Sequence, residues 1–217
     1  MKNIPRIFLD ADLTPGASVA VPRDVSHYLS NVMRQANCLV FNNGVEYNAH
    51  LSDDKKSIYI ESATAHTDPS NDITLYFAPI KRMDDMLNMA TQMGVARFVP
   101  VITARTVANH INWDRMRKIV IEASEQSNRN SVPSITEPIK FNALPFRDIV
   151  FADERAAYGY DLPARIGGAK NVLVGPEGGF SDSEFEMLDK NGARGMSLGK
   201  TILRAELAAV IAINGVM

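Results

Sequence analysis

The stretch NVLVGPEGGFSDSEFEMLDKNG, residues 171–192, decides the fold. An apolar run, Asn171–Val174, ends in Gly175-Pro176-Glu177-Gly178-Gly179. Ser181-x-x-Glu184 then forms a capping box, which opens a helix that Gly192 closes. Strand, glycine loop and capped helix in succession are the repeating unit of a parallel α/β sheet. In such sheets ligands bind beyond the carboxyl ends of the strands, where glycine lets backbone approach them closely. A plain tight turn is the alternative, but it requires neither Pro176 nor Glu177 beside three glycines.

Outward from this stretch the hydrophobic period changes near residue 70. Before it, short runs at 6–8, 18–21, 39–42, 46–51 and 57–61 read as strands, separated by turn signals such as Asn42-Asn43-Gly44 and Asp53-Asp54-Lys55. One helix interrupts them over 24–34. Residues 1–70 therefore form a small β-rich domain, and 65–72 a polar linker. Residues 71–217 alternate strand and helix: strands at 72–78, 97–102, 149–153, 171–174 and 196–198; helices at 83–93, from an Asn112 cap to about residue 127, at 182–191, and from about 204 onward. The pattern predicts a parallel sheet with helices on both faces.

The chain has 217 residues, a net charge of -2 and one cysteine. No bulk basic charge marks a nucleic-acid binder, so an RNA face has to be a local patch. A lone Cys38 and four scattered histidines give neither a disulfide nor a metal site at usual spacing. No apolar run reaches the ~18 residues of a membrane span, and the N-terminus has no apolar leader core. The expectation is a cytoplasmic protein without membrane or metal partners.

The ligand class follows from what the loops lack. Gly175, Gly178 and Gly179 do not have the dinucleotide-binding spacing, and Gly199-Lys200-Thr201 has Arg194 where a phosphate-binding loop needs glycine. Glu177 in the first loop also repels phosphate. Two such loops, each after a strand, suit a neutral or cationic ligand; S-adenosylmethionine, with its sulfonium and no phosphate, is compatible.

GPEGGFSDSEFE followed by SLGKTILRAELAA resembles the RsmE family, small-subunit (16S) ribosomal RNA uridine-N3 methyltransferases of the SPOUT superfamily. IPRIF, FNNGVEYNAHL, MGVARFVPV and EASEQSNRNSVPSI fall in the family's order, so the resemblance covers nearly the whole chain. It implies an N-terminal PUA-like β-barrel that binds RNA and a C-terminal domain with a trefoil knot. It also implies a homodimer that uses S-adenosylmethionine, with ribosomal RNA or the assembled small subunit as partner. The implied cofactor loops contain Leu173, Gly175, Pro176, Glu177, Gly178 and Gly179, then Leu198, Gly199, Ile202 and Leu203. Arg204 and Glu206, with Gln126 and Arg129, are the implied catalytic candidates; Arg204 and Glu206 also fit a structural ion pair at a helix start. Arg6, Arg23 and Arg34 are the expected RNA contacts. The family usually has proline and arginine at the positions of Lys200 and Thr201, and threonine at that of Leu207. A noncatalytic RNA-binding protein of the same fold is the main alternative, and a P-loop-like nucleotide hydrolase the lesser one.

Overall fold

The computed structural model describes residues 4–69, 72–107 and 111–217. The chain divides into two compact units: Met1–Pro69 with Ile121–Val132, and Ser70–Val120 with Pro133–Met217. The polar linker expected at 65–72 includes Ser70 and Asn71, which lie outside the described residues.

The first unit contains β1 (Arg6–Phe8), β2 (Ser18–Ala20), α1 (Arg23–His27), β3 (Asn37–Asn42), β4 (Val45–Leu51) and β5 (Ser57–Ala63). Its sheet runs β1-β3-β4-β5-β2, with β1 parallel to β3 and the other pairs antiparallel. Among the described residues the edge strands β1 and β2 share no ladder, so the part of the expected barrel on view is a five-stranded sheet. Asn43 and Gly44 both take positive φ, 50° and 81°, which gives the β3–β4 hairpin a twist matched to its strands. Ile7, Leu29, Val40, Ile58 and Ile60 form the core.

The helix expected over 24–34 is regular only through α1. It continues as a π-helical turn, Tyr28–Met33, and stops at Arg34 in the left-handed region (φ 52°). Ser30 Oγ donates to Ser26 O (2.7 Å), a side-chain bond that competes with the regular ladder.

The second unit contains β6 (Thr74–Phe77), α2 (Met83–Gln92), β7 (Arg97–Ile102), α3 (Trp113–Gln126, whose last turns belong to the first unit), β8 (Ser134–Ile135), β9 (Ile139–Lys140), β10 (Ile149–Ala152), β11 (Asn171–Val174), α4 (Asp182–Lys190), β12 (Arg194–Met196) and α5 (Ala205–Val216). The sheet order is β12-β10-β11-β6-β7-β8, with β9 also on β7, and every described pairing is parallel. Asn112 Oδ1 accepts from Arg115 N (3.0 Å) and so caps α3. The Ser181–Glu184 capping box is present on α4.

Strand β12 lies two residues earlier than the run expected at 196–198. Gly195 allows this: a Cβ there would overlap the Asp153 carboxylate, so only glycine lets the strand lie over that side chain. The two-residue strands β8 and β9 carry too short a pattern to read in advance.

Candidate active site

The carboxyl ends of β10, β11 and β12 open into one cavity of about 240 Å³. One wall is the loop after β11. Gly175, Pro176, Glu177 and Gly179 line the cavity, whereas exposed Gly178 does not, and Leu173 sits fully buried in the strand behind. The second wall follows β12 and includes Leu198, Gly199, Thr201, Ile202, Leu203 and Arg204. The third comes from the end of β10, with Asp153, Glu154 and Ala157.

The first wall is tied down at several points. Arg105 donates to the carbonyls of Gly178 (2.8 Å) and Phe180 (3.1 Å). Glu177 accepts from Lys81 N (2.9 Å). Glu184, buried at the start of α4, accepts from Ser181 N with one oxygen and from Ala104 N with the other (2.8 Å each). Phe180 packs edge-on to Phe151 and Phe185, and its ring would stand in tight contact, at 3.0 Å, with a Cβ on Gly175. At Gly179, φ is 67° and a Cβ would overlap the Glu154 carboxylate. Both features require glycine there.

The third wall carries residues not singled out from the sequence. Asp153 is fully buried, and Arg155 engages both of its oxygens, Nε to Oδ1 at 2.9 Å and a terminal nitrogen to Oδ2 at 2.7 Å. Arg155 also pairs with Asp189 and lies over the Phe185 ring at 4.5 Å. Burial pushes the Glu154 carboxyl above the usual carboxylate range; nearby Arg105 opposes the shift and Asp153 adds to it. The one advance signal for these residues is that 152–154 (ADE) directly follow an apolar parallel strand.

The expected catalytic residues separate. Arg204 caps α5 at the cavity rim and is exposed. Glu206 does not line the cavity; its side chain is 12% exposed and lies 3.9 Å from Arg82, so the ion pair it makes is with Arg82 and not, as the structural alternative has it, with Arg204. Exposed Gln126 and half-buried Arg129 belong to the first unit. Burial lowers the Arg129 guanidinium, and Asp68 opposes the shift. Leu207, at the family's threonine position, is 45% exposed on α5 and does not line the cavity.

Among the expected RNA contacts, Arg23 and Arg34 are exposed. Arg6 is not: its side chain is 6% exposed and pairs with Glu46 at 2.8 Å. Its terminal nitrogens donate to Ser124 O, Glu125 O, Arg129 O and Asn130 Oδ1, at 2.7 to 3.3 Å. With its donors engaged inside the fold, Arg6 is a structural pin and has nothing left to offer a phosphate.

The lysine of Gly199-Lys200-Thr201 is exposed in a loop, and α5 begins only at Ala205. A phosphate-binding loop places its helix start directly at that lysine, so the hydrolase alternative loses its geometric basis. Among the described residues no group of acidic, histidine or cysteine side chains is arranged to hold a metal, and no helix is long and apolar enough to cross a membrane.

Residues 67–217 match the RNA methyltransferase domain family. The chain is 31% identical to the ribosomal RNA small subunit methyltransferase E of Rickettsia conorii, across 96% of this chain and 93% of that one. It is 32% identical to the Aquifex aeolicus protein of the same name, across 69% of each. Among solved structures, that of the Neisseria gonorrhoeae ribosomal RNA small subunit methyltransferase E bound to S-adenosyl methionine superposes with a TM-score of 0.83 at 28% identity, covering 98% of this chain and 96% of that one. With the cavity at the strand ends and the match extending over both units, the chain belongs to the ribosomal RNA small subunit methyltransferase E family.

Proposed function

We propose that this chain is an S-adenosylmethionine-dependent methyltransferase acting on N3 of a uridine in small-subunit (16S) ribosomal RNA. The observation that carries the reading is the glycine wall. Gly175 and Gly179 line the cavity without side chains, and the loop they belong to is braced by Arg105 and by the bond from Lys81 N to Glu177. Such a wall suits a ligand read by backbone groups at close approach. The carboxylates of Glu154 and Glu177 disfavour phosphate, and Val174, Leu198 and Leu203 supply apolar contact.

The bound cofactor supplies an electrophilic methyl group on its sulfonium. The chain's own contribution is to hold donor and acceptor in line, which is worth more than any single side chain in such transfers. Transfer would form the N3–methyl bond as the sulfur–methyl bond breaks, leaving neutral S-adenosylhomocysteine; the N3 proton would pass to solvent at the open cavity, with negative charge on the ring in the meantime. Arg204, exposed at the rim, is suited to hold that charge.

The first unit is read as the RNA-gripping, PUA-like module, with Arg23 and Arg34 as its contacts. The trefoil knot is supported by backbone bonds that tie the 163–168 loop to the residue after β12 and to the end of α5: Ser197 N to Pro163 O, Ile166 N to Gly215 O and Gly168 N to Val216 O, at 2.8 to 2.9 Å. A homodimer is supported by the exposed apolar side chains Leu207 and Ile211 on α5. Cytoplasmic location follows from the proposed ribosomal partner.

The test is methyl transfer from labelled S-adenosylmethionine to small subunits and to deproteinised 16S RNA, with the modified position mapped by reverse transcription. Methylation at N3 blocks the pairing edge and stops the polymerase. Binding of the cofactor without transfer to either substrate would favour the noncatalytic alternative.

A further inference from the structure

Three carboxylates stand at the cavity, and two are accounted for. Asp153 is neutralised by Arg155, and Glu177 accepts from Lys81 N. Glu154 differs. Among the described residues no donor reaches its oxygens, although it is half-buried and its side chain lines the cavity. Arg105, the cation whose field it feels, donates instead to the carbonyls of Gly178 and Phe180. Gly179 lacks the Cβ that would collide with this carboxylate, so the loop is shaped around it. Holding a carboxylate partly dehydrated without a partner costs free energy, and a cationic ligand would offset that cost.

We propose that Glu154 is the cation-recognising group of the cavity, facing the sulfonium end of the cofactor and giving the site its preference for S-adenosylmethionine over the neutral product, S-adenosylhomocysteine. This rests on the cofactor reading above. It also assigns Glu154 a role in turnover: departure of the methyl group removes the positive charge, and with it the attraction that holds the ligand.

The experiment is calorimetric titration of the purified full-length protein and its Glu154→Gln variant with three ligands. These are S-adenosylmethionine, sinefungin (which carries an ammonium in place of the sulfonium) and S-adenosylhomocysteine. The expected result is that Glu154→Gln weakens both cationic ligands about tenfold and leaves S-adenosylhomocysteine within about twofold, as for removal of one partly exposed charge interaction. Equal weakening of all three overturns the inference and assigns Glu154 to a group the three ligands share, such as the α-ammonium or a ribose hydroxyl; no weakening of any overturns it and leaves Glu154 a packing role against Gly179. If the glutamine variant does not fold, Glu154→Asp takes its place: the charge is kept, so the cation preference should survive, and its loss overturns the inference. Failure of the wild-type protein to bind any of the three would instead sink the cofactor reading itself.

Discussion

The two loops that wall the cavity are held in contrasting ways. The loop at 175–180 is fixed from behind by Arg105, Glu184, Lys81 N and the Phe180 ring. The loop at 197–204 has lighter ties: Ser197 N to Pro163 O at 2.9 Å, and Gly199 N to Ser197 Oγ at 3.2 Å. A Cβ on Gly199 would meet open space, and Ile202 is 57% exposed. One wall is a preformed surface; the other has room to adjust. A ligand in such a site would meet a preordered surface on one side, where little ordering cost is left.

The largest effect expected from this contrast is at the braced wall. Gly179→Val meets both an unfavourable φ and the Glu154 carboxylate, so affinity for S-adenosylhomocysteine should fall by about a hundredfold or more, a loss of about 2.7 kcal/mol or more. Calorimetry reads it directly, and an affinity near wild type would remove this loop from the site.

Next comes the open wall. Arg204→Ala should lower kcat about a hundredfold, as for loss of one charge-stabilising group, while S-adenosylhomocysteine affinity stays within about threefold. Single-turnover rates and calorimetry on one preparation separate this from a structural role, in which thermal stability and binding would fall together.

A smaller difference should separate the braces themselves. Arg105→Ala removes two charge-assisted bonds to the glycine wall and should weaken ligand binding about tenfold, with a lower Tm. Ser197→Ala removes the Oγ acceptor of the lighter wall and should change affinity less than about twofold. Equal effects would mean that the two walls are held alike.

The smallest effect on the cavity is expected from the first unit. Neutralising Arg23 and Arg34 should leave cofactor affinity unchanged. It should flatten the salt dependence of RNA binding by a slope of about 0.7 to 0.9 for each phosphate that is no longer paired with a guanidinium. An unaltered slope would place the RNA grip elsewhere, with Lys81, Arg82 and Arg105 the next cations to test.

Much of this was legible in the residues. The capping box at Ser181, the Asn112 cap and the Asn43-Gly44 hairpin depend on neighbours in sequence, and each forms where its local chemistry requires. The glycine loops were legible as a cavity wall because glycine in that number after a buried strand has few other uses. What escaped depends on residues far apart in the chain. Nothing near Arg6 shows that its guanidinium meets Glu46, Asn130 and the carbonyls at the end of α3, so it read as a surface arginine. Nothing beside Glu154 in the sequence marks it as the acid that folding sets against Gly179, or Gly195 as the residue that lies over Asp153.

The Arg6 pin bears on the timing of folding during synthesis. The first unit is assembled from the start of the chain and from a stretch ending at Val132. Until Asn130 has left the ribosomal exit tunnel, the Arg6 guanidinium lacks most of its acceptors. At roughly 5–20 residues per second, that wait lasts several seconds after the N-terminal strands emerge. A nascent chain halted at Pro69 would carry its sheet-forming residues with Glu46 as the Arg6 partner but without the four acceptors at 124–130, and it should be readily cleaved by added protease. A chain extended past Val132 should resist.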